Sequence, residues 1–198
     1  METIRRVALV TGGMGGLGEA ICLKLAALGY TVVTTFSPAN TKAEGWLRAM
    51  RERGLRFHAF ACDVSDWESC VACVKRIVDE VGPVDVLVNN AGITRDMTFR
   101  KMDRVNWDAV MHTNLDSCFN MTKQMCDGMV ERGWGRIINI SSVNGRGCVK
   151  TPRRVTWLDK MHSLTPREPL SHEAIRRGRG SFPSHIVSGA AGRLHSGG

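Results

Sequence analysis

From residue 5 to about residue 147, short β-branched runs alternate with longer segments whose apolar residues recur at helical spacing. RVALVTGG predicts a strand that runs into glycines, and GEAICLKLAALGY a helix closed at Gly29. TVVTTF predicts a second strand and Thr41–Arg53 a second helix. LRFHAFACDV reads as a third strand, and DWESCVACVKRIVDEVG as a helix begun by Asp66 and stopped by Gly82-Pro83. VDVLVNNAG predicts a fourth strand. One long helix then carries Trp107, Val110, Met111, Asn114, Leu115 and Cys118, and GRIINISS predicts a fifth strand. Repeated strand–helix units with nearly continuous apolar strands indicate an α/β fold, a doubly wound parallel sheet with helices on both faces. The expected strand order is 3-2-1-4-5.

This rhythm stops after Gly147. Residues 148–198 hold four of the six prolines and four of the six histidines, and their apolar residues follow no period. The segment reads as a basic, low-order tail. So abrupt a change points to a frameshift, a fusion or a rearrangement.

Composition narrows the class. The chain has 198 residues, 43% hydrophobic and 23% charged, with a mean hydropathy of −0.14, which suits one globular domain. No apolar run approaches the roughly 18 residues a bilayer-spanning helix needs, and the N-terminus does not read as a secretory signal. A cytoplasmic protein with no membrane partner is expected. The net charge of +8 is concentrated in the tail, where nine Lys or Arg face three acids. That leaves a nearly neutral body, and no aromatic interleaving supports a nucleic-acid partner. Seven scattered cysteines, an odd number, argue for reduced thiols. Cys70 and Cys73 have the spacing of half a zinc or redox motif, but they fall inside a predicted helix, where packing is the simpler role; no metal site is expected.

The chemistry begins at TGGMGGLG: Thr11, Gly12, Gly13, Met14, Gly15, Gly16, Leu17 and Gly18. Glycines between a strand and a helix let the backbone turn tightly and approach a pyrophosphate, while the helix N-terminus offers free N–H groups. The spacing Thr-Gly-x-x-x-Gly-x-Gly, the NNAG that closes strand four and the ISS that closes strand five together resemble the short-chain dehydrogenase/reductase family over about residues 5–147. NNAGITRDMTFRKM, WDAVMHTNLDSCFNMTKQ and GWGRIINISSVNG resemble more narrowly its acetoacetyl-CoA reductases of polyhydroxybutyrate synthesis. The β-ketoacyl-carrier-protein reductases are the near alternative.

The resemblance implies a Rossmann-type dinucleotide-binding unit over 1–147, incomplete at about five strands. It also implies roles for residues. Thr11 through Gly18 would form the phosphate turn, Asp63 would meet the adenine amino group with Val64 beside the ring, and Asn90, Ala91 and Gly92 would line the ribose and nicotinamide. Asn114 would hold a proton-relay water, Ser142 would bind the substrate carbonyl, and Asp96 would contact a small-molecule acyl-CoA substrate. A helix-capping or turn role is the plainer alternative for Asp63. The family forms homotetramers, and the assembly is expected to be impaired here.

Two features bear on activity. Between Gly29 and Glu44 there is no acid to oppose a 2′-phosphate, and Lys42 is a candidate partner for one, so NADPH is the expected cofactor. The family's proton donor is a tyrosine thirteen residues after the serine, with a lysine four residues later, on one helix face. Counted from Ser142, those positions hold Val155 and Asp159; Lys160 is one residue off. The single tyrosine, Tyr30, lies before strand two. The resemblance implies NADPH-dependent reduction of a 3-oxoacyl thioester, acetoacetyl-CoA to 3-hydroxybutyryl-CoA first among them; the alternative, which the missing tyrosine favours for this chain as written, is a catalytically inactive nucleotide-binding protein.

Overall fold

The computed structural model describes residues 5–95 and 97–141. Five parallel strands form one sheet in the order β3-β2-β1-β4-β5: β1 (Val7–Val10), β2 (Thr31–Phe36), β3 (His58–Ala61), β4 (Val84–Asn89) and β5 (Arg136–Asn139). Helices α1 (Gly16–Ala27), α2 (Ala43–Glu52) and α3 (Trp67–Glu80) connect the first four strands. The β4–β5 connection holds a 3₁₀ turn at Phe99–Lys101, α4 (Arg104–Met111) and α5 (Ser117–Glu131). The expected order is observed. It reverses between β1 and β4, which opens a crevice at the C-terminal ends of those strands.

Side chains alternate across each strand, so the central strands supply two cores. Val7 and Leu9 point to the face covered by α3 and α5, among Val74, Ile77, Met121 and Met129. Ala8 and Val10 point to the opposite face with Cys22 of α1, against which Ile21 and Leu25 pack. α2 joins this second layer where the Trp46 indole N–H donates to Glu19 of α1 at 2.7 Å and its ring stacks on Phe57. The register between β1 and β4 shifts at Asp85, whose carboxylate accepts the Val7 N–H at 3.0 Å. Arg132 steadies that irregularity by donating to the Val84 carbonyl at 2.7 Å.

Two elements differ from the sequence expectation. β3 pairs only over His58–Ala61, because after Ala61 the chain turns off the sheet to enter α3. The long helix is interrupted by one π turn at His112–Asp116, which separates α4 from α5 and contains Asn114. Among the described residues no helix is long and apolar enough to cross a membrane.

Candidate active site

The glycine turn leaves β1 at the crevice and is bolted to both neighbouring strands. Thr11 is buried, and its N–H donates to the Val88 carbonyl of β4 at 3.0 Å. Its hydroxyl oxygen accepts two backbone N–H groups, from Asn90 at 3.0 Å and from Ala91 at 2.9 Å. The Asn90 side-chain amide donates back to the carbonyls of Thr11 (3.0 Å) and Gly12 (3.1 Å). On the other side the Gly13 N–H donates to the hydroxyl of Thr34 at 2.8 Å, and the Gly12 N–H donates to the Thr35 carbonyl at 3.1 Å. The Thr34 hydroxyl in turn donates to the Val10 carbonyl at 3.0 Å.

Glycine is needed here for two different reasons. Gly12 has φ +65° and Gly16 φ +52°, a region costly to residues with a Cβ. Gly13 and Gly18 are needed for space. A Cβ on Gly18 would stand 2.5 Å from the Gly12 carbonyl oxygen and 2.6 Å from the Asn90 amide nitrogen; on Gly13 it would collide with Thr34 and Cys22. Gly15 and Gly16 face open space, with nothing within 4 Å of a notional Cβ. Behind them, the Gly18 N–H is held by the Gly15 carbonyl at 3.1 Å, while the N–H groups of Gly16 and Leu17, ahead of it, come too early in α1 to have an intrahelical acceptor. A tight backbone, an unfilled space and free donors at a helix N-terminus fit the pyrophosphate of a dinucleotide.

Of the remaining expected residues, Leu17, Lys42, Asp63 and Val64 follow β1, β2 and β3 in the chain. Lys42 is exposed at the start of α2, its N–H held by Asn40 at 2.9 Å. Its loop is tied to the glycine turn, since the Asn40 amide lies 4.0 Å from the Met14 sulfur. Leu17 is largely exposed beside the turn. Asp63 leaves β3 and makes the turn its alternative role requires: its carboxylate accepts the Ser65 N–H at 3.0 Å and the Ser65 hydroxyl at 2.6 Å. The Asp63 N–H donates to the Ser69 hydroxyl, while Asp66 caps α3 by accepting the Ser69 N–H at 2.7 Å. Val64 is packed into the core.

Asn114 is fixed from both ends. Its side-chain oxygen accepts the Ile93 N–H at 2.8 Å and its amide donates to the Ile93 carbonyl at 2.9 Å. The π turn brings it under the loop after NNAG, where a Cβ on Gly92 would stand 3.2 Å from its oxygen. Single π turns inside helices recur at functional sites because they re-aim one side chain without ending the helix. Ser142, Asp96, Val155 and Asp159 lie outside the described residues.

Several contributors were not picked out from the sequence. Thr34 and Thr35 anchor the glycine turn from β2, and two adjacent threonines buried in an otherwise apolar central strand were the available signal. Asn89 of β4 donates to Asn139 of β5 at 2.8 Å and lies 3.4 Å from the Thr122 hydroxyl of α5. Cys22 closes the floor beneath Gly13, with its sulfur 3.7 Å from that carbonyl. Burial pushes its thiol up to about 12.

The motif geometry agrees with comparison to known proteins. The family model described as short chain dehydrogenase matches residues 6–152. The chain belongs to that family. It is 55% identical over 142 residues to an acetoacetyl-CoA reductase of Cupriavidus necator, covering 72% of this chain and 58% of the relative. It is 56% identical over 141 residues to nodulation protein G of Azospirillum brasilense, covering 71% of this chain and 57% of that protein. This short-chain dehydrogenase thus spans less than two thirds of the length of either relative. The crystal structure of a gluconate 5-dehydrogenase from Burkholderia cenocepacia in complex with NADP and tartrate superposes with a TM-score of 0.69 at 32% identity, covering 77% of this chain and 58% of that one.

Proposed function

We propose that the described unit binds NADPH in the manner of a 3-oxoacyl thioester reductase of the acetoacetyl-CoA type, and that this chain, as its sequence stands, does not carry the reaction through. The Thr11–Asn90 lock carries the binding half. It holds the glycine turn, the NNAG loop and the β1–β4 crevice in one rigid arrangement before any ligand arrives, so little ordering is left for the nucleotide to impose. When bound, the nicotinamide would supply the hydride; the residues here bind, orient and hold protons.

On this reading each residue has its part. The turn and the α1 N-terminus take the pyrophosphate. The exposed Lys42, on a loop tied to Met14, takes a 2′-phosphate with no acid between Gly29 and Glu44 to oppose it. Asp63 and the NNAG residues take the adenine and the ribose–nicotinamide ends, and Asn114 holds the loop above the ring. The C. necator relative, an acetoacetyl-CoA reductase, supports the substrate class.

The second half rests on the proton donor. Val155 offers no proton, and the chain's single tyrosine, Tyr30, precedes β2 at the sheet edge opposite the glycine turn, its N–H bonded to the Leu25 carbonyl. A fluorescence titration with NADPH and NADH, followed by NADPH oxidation with acetoacetyl-CoA and with acetoacetyl-carrier protein, tests both halves. Saturable NADPH binding without turnover is expected. Absence of binding overturns the first half, and turnover on either thioester overturns the second.

A further inference from the structure

Three thiols that this nucleotide site does not use meet where β3 ends. Cys62 follows β3 directly, and Cys70 and Cys73 stand one turn apart on α3. All three are buried in the same core cluster. Their placement is reciprocal. The Cys62 sulfur lies 3.8 Å from the carbonyl of Ser69, the residue before Cys70, and the Cys70 sulfur lies 3.7 Å from the carbonyl of Asp63, the residue after Cys62. The Ser69 hydroxyl also sits 4.0 Å from the Cys62 sulfur, and the Cys70 sulfur lies 3.5 Å from the Val64 carbonyl.

A single buried cysteine behaves as a small inert hydrophobe. Three gathered in one core cluster differ, because a sulfur that is oxidised first has candidate resolving thiols close by. The surroundings also divide the roles. The Cys70 and Cys73 thiols, then Ser69, hydrogen-bond to Cys62 and lower its thiol, while those same contacts with Cys62, together with burial, hold Cys70 and Cys73 up. Cys62 is 2% exposed, so an oxidant must enter through an opening. The turn that adjoins it, Asp63 to Ser69, has solvent-exposed hydrogen bonds that are cheap to break transiently.

We infer that Cys62 and one helix thiol, Cys70 or Cys73, form a reversible oxidation site at which hydrogen peroxide closes a disulfide and loosens the Asp63–Ser69 turn. The Cys62 thiolate attacks the peroxide, the O–O bond breaks, and one oxygen leaves as water once protonated. The helix thiol then attacks the resulting sulfenic sulfur, its proton goes to the departing hydroxyl, and a second water leaves. Two thiols lose two electrons and the peroxide gains them. Closure draws the two sulfurs to about 2.05 Å. That pulls Cys70 off the Asp63 and Val64 carbonyls and Cys62 off Ser69, the residues that shape the turn. If Asp63 meets the adenine, a consequence that rests on the proposed function, oxidation also weakens nucleotide binding.

The test treats the native full-length chain with low-excess hydrogen peroxide, caps free thiols, and maps linkages by non-reducing peptide mass spectrometry. The expected result is Cys62 joined to Cys70 or Cys73, reversed by dithiothreitol, with faster hydrogen exchange at the Ser65 and Ser69 amides. Cys62→Ala forms neither link, whereas Cys70→Ala keeps the Cys62–Cys73 one. NADPH affinity should fall about tenfold, within the range usual for coupled sites. The inference is overturned if all three thiols stay free while Cys118 or Cys126 reacts, or if the disulfide forms and exchange at the turn is unchanged. Failure of the reduced protein to bind NADPH would instead count against the nucleotide reading, and the disulfide map would still decide this one.

Discussion

The hydroxyl of Thr11 accepts the Asn90 N–H at 3.0 Å, and the Asn90 side chain returns a bond to the Thr11 carbonyl, also at 3.0 Å. Two residues separated by most of the fold thereby fix the distance between the glycine turn and the NNAG loop. Thr11→Val keeps the shape and removes the acceptor. It strands the N–H groups of Asn90 and Ala91, at about 1–3 kcal/mol for each one left unpaired. Urea unfolding should show that loss, and NADPH titration of the still-folded variant should show weaker binding.

Glycines in the same turn should answer differently to one substitution. Gly18→Ala drives a Cβ into the Gly12 carbonyl and the Asn90 amide, so it should destabilise by about 1–3 kcal/mol. Gly15 has φ −164°, which any residue adopts, and its Cβ would meet nothing within 4 Å. Gly15→Ala should therefore melt within about 0.5 kcal/mol of the parent. If the open space receives a pyrophosphate, the same variant should still lose nucleotide affinity. Unchanged affinity would place the phosphates elsewhere.

Cofactor preference should follow Lys42. NADPH should bind more tightly than NADH, and Lys42→Ala should weaken NADPH while leaving NADH nearly untouched. Because an exposed cation makes this contact, the preference should also shrink as salt rises. Equal affinities for the two nucleotides at low salt would remove Lys42 from the site.

The strand–helix alternation and the glycine turn were legible because their signals are local: a strand, a turn and a helix in immediate succession. The anchors Thr34 and Thr35 were not, since their role exists only once β2 lies beside β1 in a given register. The π turn was hidden for another reason. An extra residue in one turn barely changes apolar periodicity, so Trp107 to Cys118 read as one helix although Asn114 sits in a different backbone state. The alternation in LRFHAFACDV ran past the end of β3 because Cys62, whose N–H makes the last bond to β2 at Phe36, and Val64 beyond it both stay buried. Asp63 carried two readings from sequence, and its turn with Ser65 is the one the structure places.

Alkaline pH should expose the Cys22 thiol beneath Gly13. Burial raises it from 9.0 to about 12, so the folded state prefers the neutral thiol more strongly than the unfolded chain does. The stabilisation is complete below pH 9 and is lost as pH rises from there towards 12. At most the slope is about 1.4 kcal/mol per pH unit for one group. Unfolding curves of the parent and Cys22→Ala should therefore converge as pH climbs above 9. Parallel pH dependences would show that the thiol ionises without cost.

Catalysis is the sharpest test. With NADPH and acetoacetyl-CoA the chain should show no useful oxidation of the nucleotide. Loss of a positioned general acid alone costs about 10²–10⁴-fold. Four residues after Val155, where the family's lysine would assist, stands Asp159, which carries no positive charge. Asn114 cannot substitute, because both ends of its amide are committed to Ile93 and an amide does not release a proton at neutral pH. Tyr30 cannot reach, since it precedes β2 at the far end of the sheet. Val155→Tyr with Asp159→Lys should not restore turnover, because Pro152 and the arginines before position 155 give no helix pattern to hold the pair on one face. Robust turnover by the unmodified chain, abolished by Ser142→Ala, would require a proton donor other than any residue named here and would overturn the reading.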